Sequence, residues 1–314
     1  MLSPDARAVL DAQIAMGRPP IETLTPGAAR QSFLETCPQL QGPREAVGSV
    51  QDMVLQPAAG ALPLRLYRGL GCAPAEAPAL VFFHGGGWVL GNLDSHDTIC
   101  RWIANELRGV VLSVDYRLAP DHPFPAALED AEAAIRHLHQ NAEPLGIDAA
   151  RIAVGGDSAG GNIAAVIALM ARDGALPALA FQMLLYPVTD VSADQESYRR
   201  FADGYGLTRA AMLWFHRLYL GAAGRPGDWR ISPLRAADLA GVAPAFVLTA
   251  GCDVLHDEAR DYAARLREAG VTLRLDENPG QIHGFVSMDG YISAARPAVA
   301  RAIAFWREID AAIP

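Results

Sequence analysis

Gly155-Gly156-Asp157-Ser158-Ala159-Gly160-Gly161 is the stretch on which the reading of this chain turns. It contains Gly-x-Ser-x-Gly at 156–160, between a β-rich run at 151–157 and a helical pattern over 159–172. A tight strand-to-helix turn holds a serine in a strained backbone conformation with its oxygen clear of the sheet. Small neighbours are needed because helix and strands approach closely there. The helix N-terminus behind the serine favours developing negative charge. A packing turn is the plain alternative. A dinucleotide loop fits poorly, since no G-x-G-x-x-G opens an early strand–helix unit.

Upstream, His84-Gly85-Gly86-Gly87-Trp88 directly follows the apolar run at 79–83. Acyl transfer needs fixed donors for a tetrahedral oxyanion, and glycines let backbone N–H groups face a cavity unobstructed. The expected donors are the N–H groups of Gly85, Gly86 and Ala159, with His84 anchoring the loop. Downstream, such a serine requires an acid and then a histidine in chain order. Asp253 follows the strand-like run 245–251, and His283 lies past the next strand, so both arrive at the sheet edge that carries Ser158. Asp257 and Glu258 fit the dipole-favoured first turn of the following helix instead. His256 precedes the strand that separates acid from base. His137, His139 and His216 sit in helical patterns, and His96 and His122 lie in loops without a partner motif.

Further outward, strand-like runs at 79–84, 109–116, 151–157, 179–186, 245–251 and 271–275 alternate with helical patterns at 96–107, 126–140, 159–172 and 257–269. The runs are nearly continuous in apolar residues, as strands buried on both faces are, and the alternation implies a mainly parallel α/β sheet. Ahead of them, 50–55 and 62–69 read as an antiparallel pair. Ser3 and Pro4 open a helix that Gly17 closes, and at most a short helix is expected at 26–35. The long interval after Pro187, with an aromatic helix after Thr208, reads as a functional lid. The expected division is therefore a cap segment at 1–45, a core at 46–187 and 236–314, and a cap insertion at 188–235. Trp88, Asp157, Tyr186, Leu207, Trp214 and Phe215 are candidates for an apolar substrate pocket under it.

Together HGGGW (84–88), YRLAPDHPFPAALED (116–130), GDSAGGN (156–162), DVLHDEA (253–259) and IHGF (282–285) resemble the hormone-sensitive-lipase-like carboxylesterases, a bacterial branch of the α/β-hydrolases. The likeness runs in order from about residue 45 to 310. It implies an eight-stranded, mostly parallel sheet flanked by helices and covered by a helical cap. It also implies Ser158 as nucleophile, Asp253 as acid, His283 as base and no metal or organic cofactor. One departure is Val254, where many relatives have proline after the acid.

The activity expected from this resemblance is hydrolysis of short- to medium-chain acyl esters through an acyl-enzyme. An amidase or peptidase with the same triad, or a non-catalytic small-molecule receptor on the same fold, are the alternatives. Composition agrees with a globular enzyme: 314 residues, 51% hydrophobic and 19% charged, with 26 Lys+Arg against 35 Asp+Glu giving a net charge of −9. Without a basic cluster, that balance speaks against nucleic acid or anionic membrane as partners. The expected partner is a small-molecule ester, with a homodimer left open. Cys37, Cys72, Cys100 and Cys252 are too scattered for a metal or disulfide pattern and read as reduced, mostly buried thiols. Asp5, Arg7 and Asp11 interrupt any signal-peptide core, and a cytoplasmic location is expected.

Overall fold

The chain enters its first helix, α1 (Pro4–Ala15), where Ser3 Oγ accepts the Ala6 N–H and proline occupies the first helical position. Thr25 caps the second, α2 (Pro26–Leu40), in the same way. This helix outruns the expected 26–35. Pro38 falls in its last turn, where a missing N–H forfeits only one helical bond, and the Gln41 N–H still closes onto the Cys37 carbonyl. Then follow β1 (Ser49–Leu55), β2 (Leu62–Arg68), β3 (Ala77–Phe83), α3 (Asp97–Leu107), β4 (Val110–Val114), α4 (Ala126–Gln140), β5 (Ile147–Asp157) and α5 (Ala159–Arg172). The remainder is β6 (Gln182–Leu185), α6 (Glu196–Arg200), α7 (Arg209–Leu220), β7 (Ala245–Cys252), α8 (His256–Glu268), β8 (Leu273–Ile282) and α9 (Ala295–Asp310). This computed structural model describes residues 1–192 and 194–311.

The strands form one eight-stranded sheet in the order β1-β2-β4-β3-β5-β6-β7-β8. β2 runs antiparallel to both β1 and β4, and every other pairing is parallel. The central strands β3 to β7 are almost wholly buried where they pair, which is why they read as unbroken apolar runs. β6 is shorter than expected. β8 is longer, reaching Ile282, so His283 directly follows a strand rather than lying in a loop beyond it.

This arrangement positions chemistry at one edge. His84, Ser158, Asp253 and His283 are each the first residue after the last residue of a strand: β3, β5, β7 and β8. The crevice outside the carboxyl ends of such strands is where open α/β sheets bind ligands. The stretch between β6 and β7 rises from this same edge. Its two ends are stitched together by Asn162 of α5, whose side-chain amide donates to the carbonyls of Val188 and Ile231 at 2.9 Å each. Among the described residues no helix is long and apolar enough to cross a membrane. The four cysteines are unpaired; Cys100 and Cys252 are buried, whereas Cys37 and Cys72 are only half-buried.

Candidate active site

Ser158 occupies φ 56°, ψ −119°, a sparsely populated region for a residue with a side chain. The surrounding backbone over-determines it: its N–H donates to Leu185 at 2.9 Å, and its carbonyl accepts from Asn162 and Val188. The glycines on either side are sterically required. A Cβ on Gly156 would lie 2.4 Å from the Phe83 carbonyl oxygen, and one on Gly160 would lie 1.9 Å from the same atom.

His283 Nε2 lies 2.9 Å from Ser158 Oγ, and its Nδ1 lies 2.7 Å from Asp253 Oδ2. With Nδ1 donating to the carboxylate, Nε2 is left as an acceptor for the serine proton. Asp253 is 1% exposed, and its other oxygen accepts the Leu255 N–H at 3.0 Å. Val254 in place of proline leaves this turn intact, because the Asp253 carboxylate itself holds the next-but-one amide. His256 is turned away from the serine, with Nδ1 3.0 Å from the Ala250 carbonyl. The Asp257 carboxylate accepts the Ser197 N–H. Glu258 is more than a dipole-favoured surface residue: it is fully buried, and it accepts the Thr189 and Asp190 N–H groups at 2.7 and 3.3 Å.

The glycine loop differs from expectation at one residue. Gly85 donates its N–H to Asp157 Oδ1 at 2.8 Å and is therefore not free to bind an oxyanion. Gly86 and Gly87, by contrast, make no hydrogen bond through their N–H groups among the described residues; all three glycines line the cavity. Their φ values of +119° and +60° explain the need for glycine. His84 anchors the loop: its carbonyl accepts from Tyr116 Oη at 2.7 Å, its ring stacks on Tyr116, and Nδ1 reaches the Gly85 carbonyl at 2.8 Å. Complete burial pulls its pKa down to about 3, so the ring is neutral.

His96, expected to lie in a loop without a partner, is buried and sits beside the residue that precedes Ser158. Its Nε2 is 3.2 Å from Asp157 Oδ1, and its Nδ1 is 2.9 Å from Ser95 Oγ. Burial works to raise the pKa of the Asp157 carboxyl, but the His96 ring and the Gly85 N–H outweigh it and hold the group below the ordinary carboxylate value. No sequence signal pointed to this pairing, because its two halves lie on different strands' exits.

A cavity of about 400 Å³ opens over Ser158 and His283. Its walls come from α1, a 3-10 turn at Ile21–Thr23, α2 and one face of α7, where Thr208, Ala211, Met212 and Phe215 follow helical spacing. Of the pocket candidates, Asp157, Leu207 and Phe215 line it. Trp88, Tyr186 and Trp214 do not: they are core. Trp88 is buried and stacks on Tyr219 at 4.1 Å, which α7 places behind the loop. Tyr186 packs against His283 and Phe285, and Trp214 sets its edge on Phe215. The α2 side contributes Phe33, Thr36, Cys37 and Leu40, none of which sequence periodicity had marked. Burial pushes the Cys37 thiol up to about 12. Among the described residues, no cluster of three or more His, Cys, Asp or Glu side chains is arranged to ligate a metal ion.

Known proteins similar to this chain are hydrolases. Residues 80–287 match the family described as alpha/beta hydrolase fold. A carboxylic ester hydrolase of Mycobacterium tuberculosis is 44% identical over 267 residues, 83% of this chain and 70% of that protein. An ethyl acetate hydrolase of Pseudomonas putida is 40% identical over 302 residues, 94% of this chain and 95% of its own length. The solved structure of an ester hydrolase from the Lake Arreo metagenome, complexed with a bipyridine phosphonate derivative, superimposes with a TM-score of 0.95 at 44% identity, covering 99% of this chain and 100% of that one.

Proposed function

We propose a residue-level mechanism for this chain, which belongs to the α/β-hydrolase family, in its hormone-sensitive-lipase-like branch, and is a carboxylic ester hydrolase. Ser158 is the nucleophile, His283 the general base and acid, and Asp253 the group that orients the imidazole. The single observation carrying these roles is the approach of His283 Nε2 to Ser158 Oγ, 2.9 Å, at the floor of the cavity.

His283 Nε2 takes the Ser158 proton as Oγ bonds to the ester carbonyl carbon. The carbonyl oxygen becomes an oxyanion, which the N–H groups of Gly86, Gly87 and Ala159 receive; Gly85 serves instead as the loop's tether. The imidazolium is stabilised by Asp253 and donates its proton to the departing alkoxide oxygen as the C–O bond breaks. A water then gives a proton to Nε2 and attacks the acyl carbon, and the serine leaves with that proton restored.

Residues 1–45 and 188–235 act as the cap, a reading supported by the walls that α1, α2 and α7 give the cavity. A pocket of this size, within the roughly 300–1,000 Å³ usual for small ligands, suits short- to medium-chain acyl esters. The four unpaired thiols fit a reducing, cytoplasmic compartment. Ser158→Ala is expected to lower kcat on p-nitrophenyl butyrate by on the order of 10⁴–10⁶. A serine-directed phosphonate should add its mass to the peptide containing Ser158. Label on a different peptide, or turnover by the variant within tenfold of the parent, refutes the assignment. An acyl-chain series peaking above about twelve carbons refutes the chain-length reading.

A further inference from the structure

The oxyanion loop is held at Gly85 by one carboxylate oxygen, and that carboxylate belongs to the residue immediately before the nucleophile. Asp157 Oδ1 receives the Gly85 N–H at 2.8 Å and faces His96 Nε2 at 3.2 Å, while the same N–H lies 3.3 Å from Nε2. Of the two groups at Nε2 the carboxylate is the nearer, and a lone pair on Nε2 would point at the carboxylate's own lone pairs, so Nε2 carries the proton and donates it to Asp157. On its other side, His96 Nδ1 meets Ser95 Oγ at 2.9 Å, and that oxygen is itself held by the Asn92 N–H at 2.9 Å. The imidazole is thus fixed at both nitrogens and buried at the start of α3. Asp157 lines the cavity, where an untethered carboxylate could rotate toward solvent or substrate and release the Gly85 amide. The next two amides in the chain are those of Gly86 and Gly87. Their aim depends on the Gly85 peptide, because oxyanion donors work only when fixed in advance.

We propose that His96 is a positioning residue for ester hydrolysis: by donating to Asp157 it locks the carboxylate that tethers Gly85, and so sets the Gly86 and Gly87 N–H groups toward the oxygen of the tetrahedral intermediate. The inference rests on the mechanism above but adds a residue outside the triad and outside the glycine motif. His96 makes no hydrogen bond to Ser158; it acts through Asp157 and Gly85, so its effect falls on the transition state. Loss of the donor therefore lowers kcat while leaving KM nearly unchanged.

The test compares three variants. Gln reaches the position of Nε2 with an N–H donor, Asn reaches only that of Nδ1, and Leu supplies neither. His96→Gln is expected to retain activity within about threefold, whereas His96→Asn and His96→Leu lose on the order of 10- to 100-fold in kcat, part of the 10²–10³ a lost oxyanion donor costs. An alkyl trifluoromethyl ketone, which adds to the serine as a tetrahedral oxyanion, should weaken in parallel with kcat across the series. KM for p-nitrophenyl butyrate should shift less than threefold. If His96→Leu does not fold, the Gln and Asn pair decides by the same measurements. Equal kcat for Gln and Asn, or inhibitor affinity that fails to follow kcat, overturns the proposal. A parent enzyme that the ketone does not inhibit overturns the serine mechanism itself, a result distinguishable from the first two.

Discussion

Glu258 is a fully buried carboxyl with no place in the reaction, and its ionisation should therefore be read out as stability. Burial, partly offset by the N–H groups of Thr189 and Asp190 and reinforced by the Asp190 carboxylate, pushes its pKa from 4.5 up to about 8. The native fold thus keeps a proton that the unfolded chain gives up between pH 4.5 and 8. The associated stability is complete below pH 4.5, declines as pH rises, and is gone once pH passes about 8. Linkage between those two values gives a loss of roughly 3 kcal/mol between pH 6 and pH 9 from this group alone. At about 2 °C per kcal/mol for a chain of this size, that is roughly 5 °C in Tm. Glu258→Gln copies the protonated form, keeping the Oε1 acceptor for both amides while removing the titration. Thermal melts of parent and variant at intervals from pH 6 to 9 isolate the effect, since all other groups titrate in both. The curves should nearly coincide at pH 6 and diverge upward for the variant. Melting temperatures that differ by a constant amount across the range would refute the burial argument.

Four further variants test the packing of the fold and the site. Gly160→Ala drives a Cβ against the Phe83 carbonyl and should cost at least about 3 kcal/mol and 100-fold in kcat/KM. Gly27→Ala, where the new Cβ meets open space in α2, should leave activity unchanged and raise Tm slightly; melts and esterase assays on both check this. His216 is held down to about 4 by burial, against 6.5 in an open chain. The stability it contributes is full above pH 6.5 and lost as pH falls through 4, by up to roughly 3 kcal/mol, and His216→Phe should flatten that acid limb in melts from pH 7 to 4. Phe215 lies so close to Gly87 that a Cβ there would sit 2.3 Å from its ring. Phe215→Ala opens this wall and should move the optimum of a p-nitrophenyl ester series toward longer chains, a shift read directly from kcat/KM; an unchanged optimum refutes the pocket assignment.

The strand and helix pattern was legible in the chain because it is written in local terms. Continuous apolar runs mark strands covered on both faces, and the glycines at 156 and 160 mark a turn that nothing larger can fill. The order of serine, acid and histidine, each just past a strand, then fixes which residues can meet once a parallel sheet is assumed. Less was legible where a side chain's direction depends on a neighbour distant in sequence. Trp88, Tyr186 and Trp214 carry the same apolar signature as Phe215, yet only Phe215 faces the cavity, because Tyr219 and Phe285 occupy the other sides. The α2 wall is not legible because Phe33, Thr36, Cys37 and Leu40 form no continuous apolar stripe, and which face of the helix meets the cavity depends on what it packs against.

What the amino-acid order determined alone, then, is the fold class, the tight turn at Ser158 and the arrival of Asp253 and His283 at the same sheet edge, since each follows from periodicity, glycine spacing or chain order. Which peptide of the glycine loop is tethered and which two keep unbonded N–H groups was decided only by tertiary structure. Gly85, Gly86 and Gly87 are chemically identical, and the distinction arises solely because folding brings Asp157 from one strand and His96 from the start of a helix to within hydrogen-bonding distance of the first of them and not the others.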